Sequence, residues 1–228
     1  SSHTSKVFLN TSGDSYFNGG KVGIGTSSPS ELLSVYHATN SRLLISTGVN
    51  GASQIYFGDN GNDLAGRIYY DHNANSMRFH VNTNERFRID SSGNLLVGKT
   101  SVDSGVVGVE AKANGTLVAT VDGDTVSLLN RKTSDGEILR LQKDGTTVGS
   151  IMSRGGAVST LILDPRSNGA GLSGTTNGIL PTTQTGSPAN NHVDLGTSSS
   201  NFRNAYLSGG IYLGGTGSAN KLDDVEYG

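Results

Sequence analysis

Apolar residues in this chain recur mostly at every second position, in short runs closed by Gly, Asn and Asp. This is the pattern of half-buried β-strands joined by tight turns. Within residues 76–82, Met77, Phe79 and Val81 share one face, and Arg78 and His80 share the other. Residues 85–90 repeat the arrangement with Phe87 and Ile89 on the apolar side. Thr83-Asn84 suits a reversal between them, and residues 90–94 predict a second turn before Leu95, Leu96 and Val97. Residues 64–98 therefore read as a meander. Strands are also predicted at Val126–Leu128, Ile138–Leu141, Thr147–Ile151, Val193–Leu195, Asn204–Leu207 and Gly210–Leu213. Asp135-Gly136 and Asp144-Gly145 supply turns among them. Helix signals are nearly absent: Ser30–Val35, following Pro29, fits either one turn of helix or a strand, and is too short for a stable helix.

A unit of Gly, apolar residues, Gly and Thr or Ser occurs three times, at Gly20–Ser27, Gly93–Ser101 and Gly210–Gly217. Its spacing is irregular, so it is a reused cassette and not a solenoid repeat. Glycine at such points supplies a positive φ or lets backbones approach closely. Residues 167–190, with Pro181 and Pro188, lack clear periodicity and read as an extended connector.

Composition limits how such strands find a core. Of 228 residues, 33% are hydrophobic, 6% are aromatic, 33 are Gly and none is Trp. That is little apolar surface to set against backbone ordering, which costs about 1–2 kcal/mol per residue. Disorder goes with high net charge and few β-branched residues. Here the net charge is −2, charged residues are 16%, and Val, Ile and Thr recur throughout. Burial against further copies of the chain is therefore expected. Near-neutral charge offers no basic stripe for nucleic acid. No Cys is present, which removes disulfides and thiolate metal sites. No apolar run approaches the roughly 20 residues of a membrane span, so no membrane insertion is expected. No signal peptide opens the chain, and its ends at Ser1 and Gly228 read as those of a fragment or processed product.

Three stretches carry a resemblance. Gly66–His72, Ser76–Phe79 and Glu85–Gly98 together resemble a module of tail-fibre and virion structural proteins from marine and cyanobacterial phages. Gly20–Pro29 is similar to the segment that opens many such fibres. Val193–Gly196, Asn201–Arg203 and Tyr206–Gly217 are similar to another of their recurring segments, and Leu222–Gly228 to the acidic motif that follows it. Residues 30–60 and 102–130 carry none of these motifs. The resemblance implies a homotrimer of intertwined β-structure, attached to a tail or baseplate and located on the virion, outside the cell.

Candidate chemistry is sparse. The carboxylate pairs Asp122/Asp124, Asp223/Asp224 and Glu85/Asp90 are what a polysaccharide-degrading spike would need. Composition makes the first a turn, and the second lies in the linker-like acidic motif. His3, His37, His72, His80 and His192 have no metal-ligand spacing, although a threefold axis could gather one residue from each chain. The run Gly58–Asp63 is similar to a calcium loop without its closing Glu. Gly19–Gly23 and Gly214–Gly217 lack the Gly-Lys-Ser/Thr ending of a phosphate loop, and the glycosylation sequons at Asn10 and Asn114 are chance-level in so polar a chain. No catalytic residue, cofactor or metal is assigned. Tyr56, Tyr69, Tyr70, Tyr206 and Tyr212 are available to a host cell-surface glycan, and packing explains most of them equally well.

The expected fold is all-β: an elongated homotrimeric fibre of short strands and Gly-rich turns, in β-prism or triple β-helix-like modules. Its parts are an N-terminal segment (1–63), the meander (64–101), a second β module (102–166), the connector (167–190) and a C-terminal module (191–228). The trimer core is assigned to Met77, Phe79, Val81, Phe87, Ile89, Leu95, Val97, Leu195, Ile211 and Leu213. The function is that of a fibre shaft displaying a receptor-binding tip. The alternatives are a polysaccharide-degrading spike and a self-polymerising extracellular filament.

Overall fold

The structure, a computed structural model, describes residues 20–156 and 158–214, together with the backbone at 7–8, 16–17 and 221–222. All regular structure among them is β. The chain divides into two compact units, Ser1–Ser127 and Leu128–Gly228.

The first unit begins with two small pairs: β1 (Val7–Phe8) antiparallel to β2 (Tyr16–Phe17), and β3 (Val22–Ile24) parallel to β4 (Leu33–Val35). Ser30–Val35 thus supplies a strand, not a helical turn. The body of the unit is a seven-stranded antiparallel meander whose spatial order follows the chain. Its strands are β5 (Ala52–Phe57), β6 (Gly66–Asp71), β7 (Ser76–Val81), β8 (Asn84–Ile89), β9 (Leu95–Val97), β10 (Gly108–Ala111) and β11 (Leu117–Thr120). The meander expected over 64–98 is present and extends at both ends. It crosses the divisions placed after 63 and 101.

Side-chain oxygens close most of its turns. Asp71 accepts from the Asn73 and Ala74 N–H groups, and Asp90 from those of Ser92 and Asn94. Between β7 and β8 the loop is Asn82-Thr83, one residue earlier than the sequence suggested, with φ of 50° and 62°. Positive φ at both central residues is the type I′ geometry, whose twist matches the flanking strands. Past this turn β8 is bulged: Phe79 faces Phe87 while His80 faces Glu85. The extra residue, Arg86, keeps Phe87 on the apolar side.

The second unit holds a five-stranded antiparallel meander of β12 (Gly136–Lys143), β13 (Thr146–Arg154), β14 (Val158–Ile162), β15 (Ala170–Gly174) and β16 (Ile179–Thr183). Ile138–Leu141 and Thr147–Ile151 fall within β12 and β13, and Asp144-Gly145 makes their turn with φ of 50° and 78°. A separate pair joins β17 (Ile211–Tyr212) to β18 (Lys221–Leu222).

Three expectations fail here. Residues 167–190 are not an extended connector, because they contain β15 and β16. Gly171 makes this possible, since a Cβ there would lie 2.7 Å from the Leu161 carbonyl oxygen. Small residues that permit close strand approach also erased the apolar rhythm. Val126–Leu128, Val193–Leu195 and Asn204–Leu207 form no strands, because no neighbour pairs with their backbones. The unit boundary after Ser127 falls inside the module placed at 102–166.

The three cassettes share one feature. Each makes a short strand (β3, β9 and β17) closed by a left-handed glycine: Gly25, Gly98 and Gly214, at φ of 77°, 72° and 78°. Residues 215–217 of the third cassette lie outside the described residues.

Thr83 is β-branched and sits at positive φ, a conformation that costs a non-glycine residue about 1–2 kcal/mol. The homologous position of the β12–β13 hairpin is Gly145. Thr83→Gly is expected to stabilise the fold by about 0.5–1 kcal/mol after glycine's greater unfolded-state entropy is subtracted. Thermal unfolding reads it, and a lowered melting temperature would contradict the strain assigned to this turn.

Candidate assembly interface

Strand register sorts the meander of the first unit into two faces. Phe57, Gly66 and Val81 align across β5–β7. Ile55, Ile68, Phe79, Phe87, Val97 and Val109 form a row from β5 to β10. Tyr70, Met77, Ile89, Leu95, Ala111 and Leu117 form the next row. No charged side chain interrupts these rows. Phe79 and Phe87 stack with ring centroids 4.0 Å apart. Seven of the ten positions assigned to the core (Met77, Phe79, Val81, Phe87, Ile89, Leu95 and Val97) are thus brought together on one face. Leu195, Ile211 and Leu213 belong to the second unit and are exposed.

Ile68, Tyr70, Met77, Phe79 and Phe87 at the centre of this face are half-buried, and the large apolar side chains around them are exposed. Phe57 is 55% exposed, Ile89 44% and Leu117 73%. Its own cover is one corner, where Ile45 closes an apolar cavity of about 150 Å³ against Ile55, Ile68, Tyr70 and Met77. The second unit repeats the situation: Leu139, Ile151, Leu161 and Leu172 align across β12–β15, and the first three are each 38% exposed. Among the described residues the fully buried large apolar side chains are two, Leu96 and Ile162. Both lie on the opposite faces of their sheets. The side predicted to be interior is the more open side within one chain.

The opposite face of the first sheet is polar and closed by its own charges. Arg78 pairs with Asp71 at 2.8 Å and donates to the Tyr69 hydroxyl at 3.0 Å. Arg88 grips both oxygens of Glu85, at 2.5 and 2.7 Å. His80 Nδ1 stands 3.2 Å from the Thr83 carbonyl oxygen. Further along, the loop 98–107 is pinned by Lys99, whose side chain is fully buried. Its ammonium donates to the Asp103 and Val106 carbonyls and to Glu110 at 2.5 Å. Glu110 also accepts from the Asp103 N–H at 2.8 Å, and Lys112 stands 3.3 Å from its other oxygen. The Lys99 hydrogen bond, aided by Asp103 and Lys112, outweighs desolvation and lowers the Glu110 carboxyl to about 2. The Ala74 N–H and Arg78 likewise lower Asp71.

These bonds leave the candidate catalytic groups engaged. Glu85 is held by Arg88 and Asp90 by Asn94. Asp124 accepts from the N–H of Thr125, in an irregular exposed stretch shared with Asp122. Asp59 accepts from Gly61 and Asn62, which makes Gly58–Asp63 a self-capped turn. His37 Nδ1 caps the N–H groups of Thr39 and Asn40, and His72 meets Ser53 at 3.1 Å. Among the described residues no three His, Asp or Glu side chains gather to hold a metal. His3, Asn10, Asp223 and Asp224 lie outside the described residues.

Sequence reasoning missed β5, β10 and β11, although Ser53/Ile55/Phe57 and Leu117/Ala119 carry the period-two signal. It also missed Lys99 and Glu110. No sequence signal marks them, because the ten residues between them hide the pairing. No protein family, no curated protein and no solved structure matches the chain.

In the unfolded chain Glu110 takes up its proton near the ordinary 4.5, whereas in the folded chain it does so only near 2. Its contribution to stability is therefore complete above pH 4.5 and is lost as pH falls from there towards 2. Glu110→Gln is expected to lower stability at neutral pH and to flatten acid unfolding across that window, as read by circular dichroism. An acid slope identical to that of the parent protein would contradict the pairing.

Proposed function

We propose that this chain is a structural, non-catalytic shaft segment of a phage tail fibre, built as a homotrimer around the apolar faces of its sheets. The observation that carries the proposal is the charge-free, uncovered face formed by β5–β11. Covering the exposed parts of about half a dozen such side chains supplies on the order of 5–10 kcal/mol per chain. That is comparable to the whole stability of an ordinary domain.

A second copy of the same chain is the natural occupant. A face without charges offers nothing to orient a polar partner, and a closed symmetric assembly satisfies the same patch on every subunit at once. Such closure also shields the open edge strands β5 and β11 from uncontrolled pairing. The threefold number, the virion location and the attachment to tail or baseplate proteins come from the sequence resemblance of residues 20–29, 66–98 and 193–217. The role is mechanical: a stiff β-rich spacer that carries a receptor-binding tip away from the particle and towards the cell surface.

Phe87→Asp places a carboxylate in the middle of the apolar rows, against Phe79. Native mass spectrometry is expected to show three-chain particles for the parent protein and none for the variant. Unchanged trimers in the variant would contradict this packing. Parent particles whose mass grows with concentration would replace the closed trimer with an open filament.

A further inference from the structure

On β5 and β6 of the first unit one cation has no ion pair among the described residues. Arg78, Arg88, Lys99 and Lys112 each face a carboxylate. Arg67 faces none among the described residues. Its guanidinium lies over the Tyr69 ring, 4.7 Å from the centroid. Its nearest polar neighbour is His80 Nδ1 at 3.5 Å. The same nitrogen stands 3.2 Å from the Thr83 carbonyl oxygen, so the two contacts compete for it. Stacking holds the guanidinium in place with no carboxylate beside it among the described residues.

Cross-strand register sets Arg67 in a block of four at the sheet edge. Tyr56 is directly opposite Arg67, and Gln54 directly opposite Tyr69. Tyr56 is 48% exposed, and its hydroxyl donates to Gln54 Oε1 at 2.7 Å. This bond fixes the ring and leaves the Gln54 amide N–H groups free to donate. An exposed aromatic ring, a fixed amide donor and an unneutralised guanidinium therefore stand side by side.

We propose that Gln54, Tyr56, Arg67 and Tyr69 form a binding site for a carboxylate-bearing sugar. The apolar C–H face of a pyranose packs on Tyr56, the Gln54 amide donates to a ring hydroxyl, and Arg67 takes the carboxylate in a two-bond grip. Arg67 is the one cation on β5 and β6. This suits an isolated monoanion, whereas a nucleic-acid backbone would call for a row of cations. The site goes beyond the shaft role and rests on it in one respect: assembly through the apolar face leaves this opposite face open.

Saturation-transfer NMR on the intact protein, with methyl β-D-glucuronide and methyl β-D-glucoside as probes, tests it. The glucuronide is expected to bind about tenfold or more tightly than the glucoside. Arg67→Gln is expected to erase that preference with the melting temperature little changed, and Tyr56→Ala to weaken both probes. Equal binding of the two probes, an undiminished preference in Arg67→Gln, or no transfer to either probe would overturn the site. The particle mass of the same samples separates the two proposals. A trimer that binds neither probe sinks the site alone, and a monomer that binds the glucuronide sinks the assembly alone.

Discussion

An antiparallel sheet has two faces, and this chain supplies cover for one of them. That constraint organises the rest of the structure. In the seven-stranded meander the covered side is polar: arginines lie along tyrosines and carboxylates, Leu96 is buried, and a ten-residue loop is tied to Glu110 by the buried Lys99. The other side presents continuous rows of Phe, Ile, Leu, Val and Met, several of them exposed among the described residues. The second unit repeats the arrangement on five strands, with Ile162, Thr160 and Thr182 shielded and the Leu139–Leu172 row open. Two sheets with the same asymmetry are hard to ascribe to a local accident of packing.

The polar face owes its closure to geometry more than to hydrophobicity. Long side chains on adjacent strands cover one another when each charge finds a partner, and an unpaired buried charge would be costly. Lys99 meets this requirement with three acceptors, two of them backbone carbonyls of the loop it holds. The ion pair thus fixes a long, irregular β9–β10 connection against Glu110. The polar back of the sheet is pinned at this end, and no charged side chain interrupts the apolar rows in front. Arg67 stands apart from this economy of pairs, which is what makes it informative.

Much of the first unit was legible in the sequence. Met77, Phe79, Val81, Phe87 and Ile89 alternate cleanly with charged residues, and period two alone places them on one face. The all-β character followed equally from the density of Gly, Asn and Asp turns. The misses have physical causes. β15 and β16 hide among Gly, Ser and Thr because close strand approach excludes large side chains. Val126–Leu128 has strand composition yet lacks a neighbour to pair with. Lys99 and Glu110 read as ordinary surface charges, because burial is decided by a loop whose path no local pattern encodes. Which of the two faces a single chain covers was likewise unreadable, since alternation separates faces without saying what lies over each.

Phe57 and Tyr56 are sequence neighbours, both about half-exposed in the single chain, on opposite sides of the same edge strand. Hydroxyl-radical footprinting of the native protein therefore examines the cover over each face under one set of conditions. If further copies lie on the apolar rows, Phe57 is protected while Tyr56 is readily oxidised. A folded protein in which the two rings react equally would show that nothing covers the apolar face, and the account would fail.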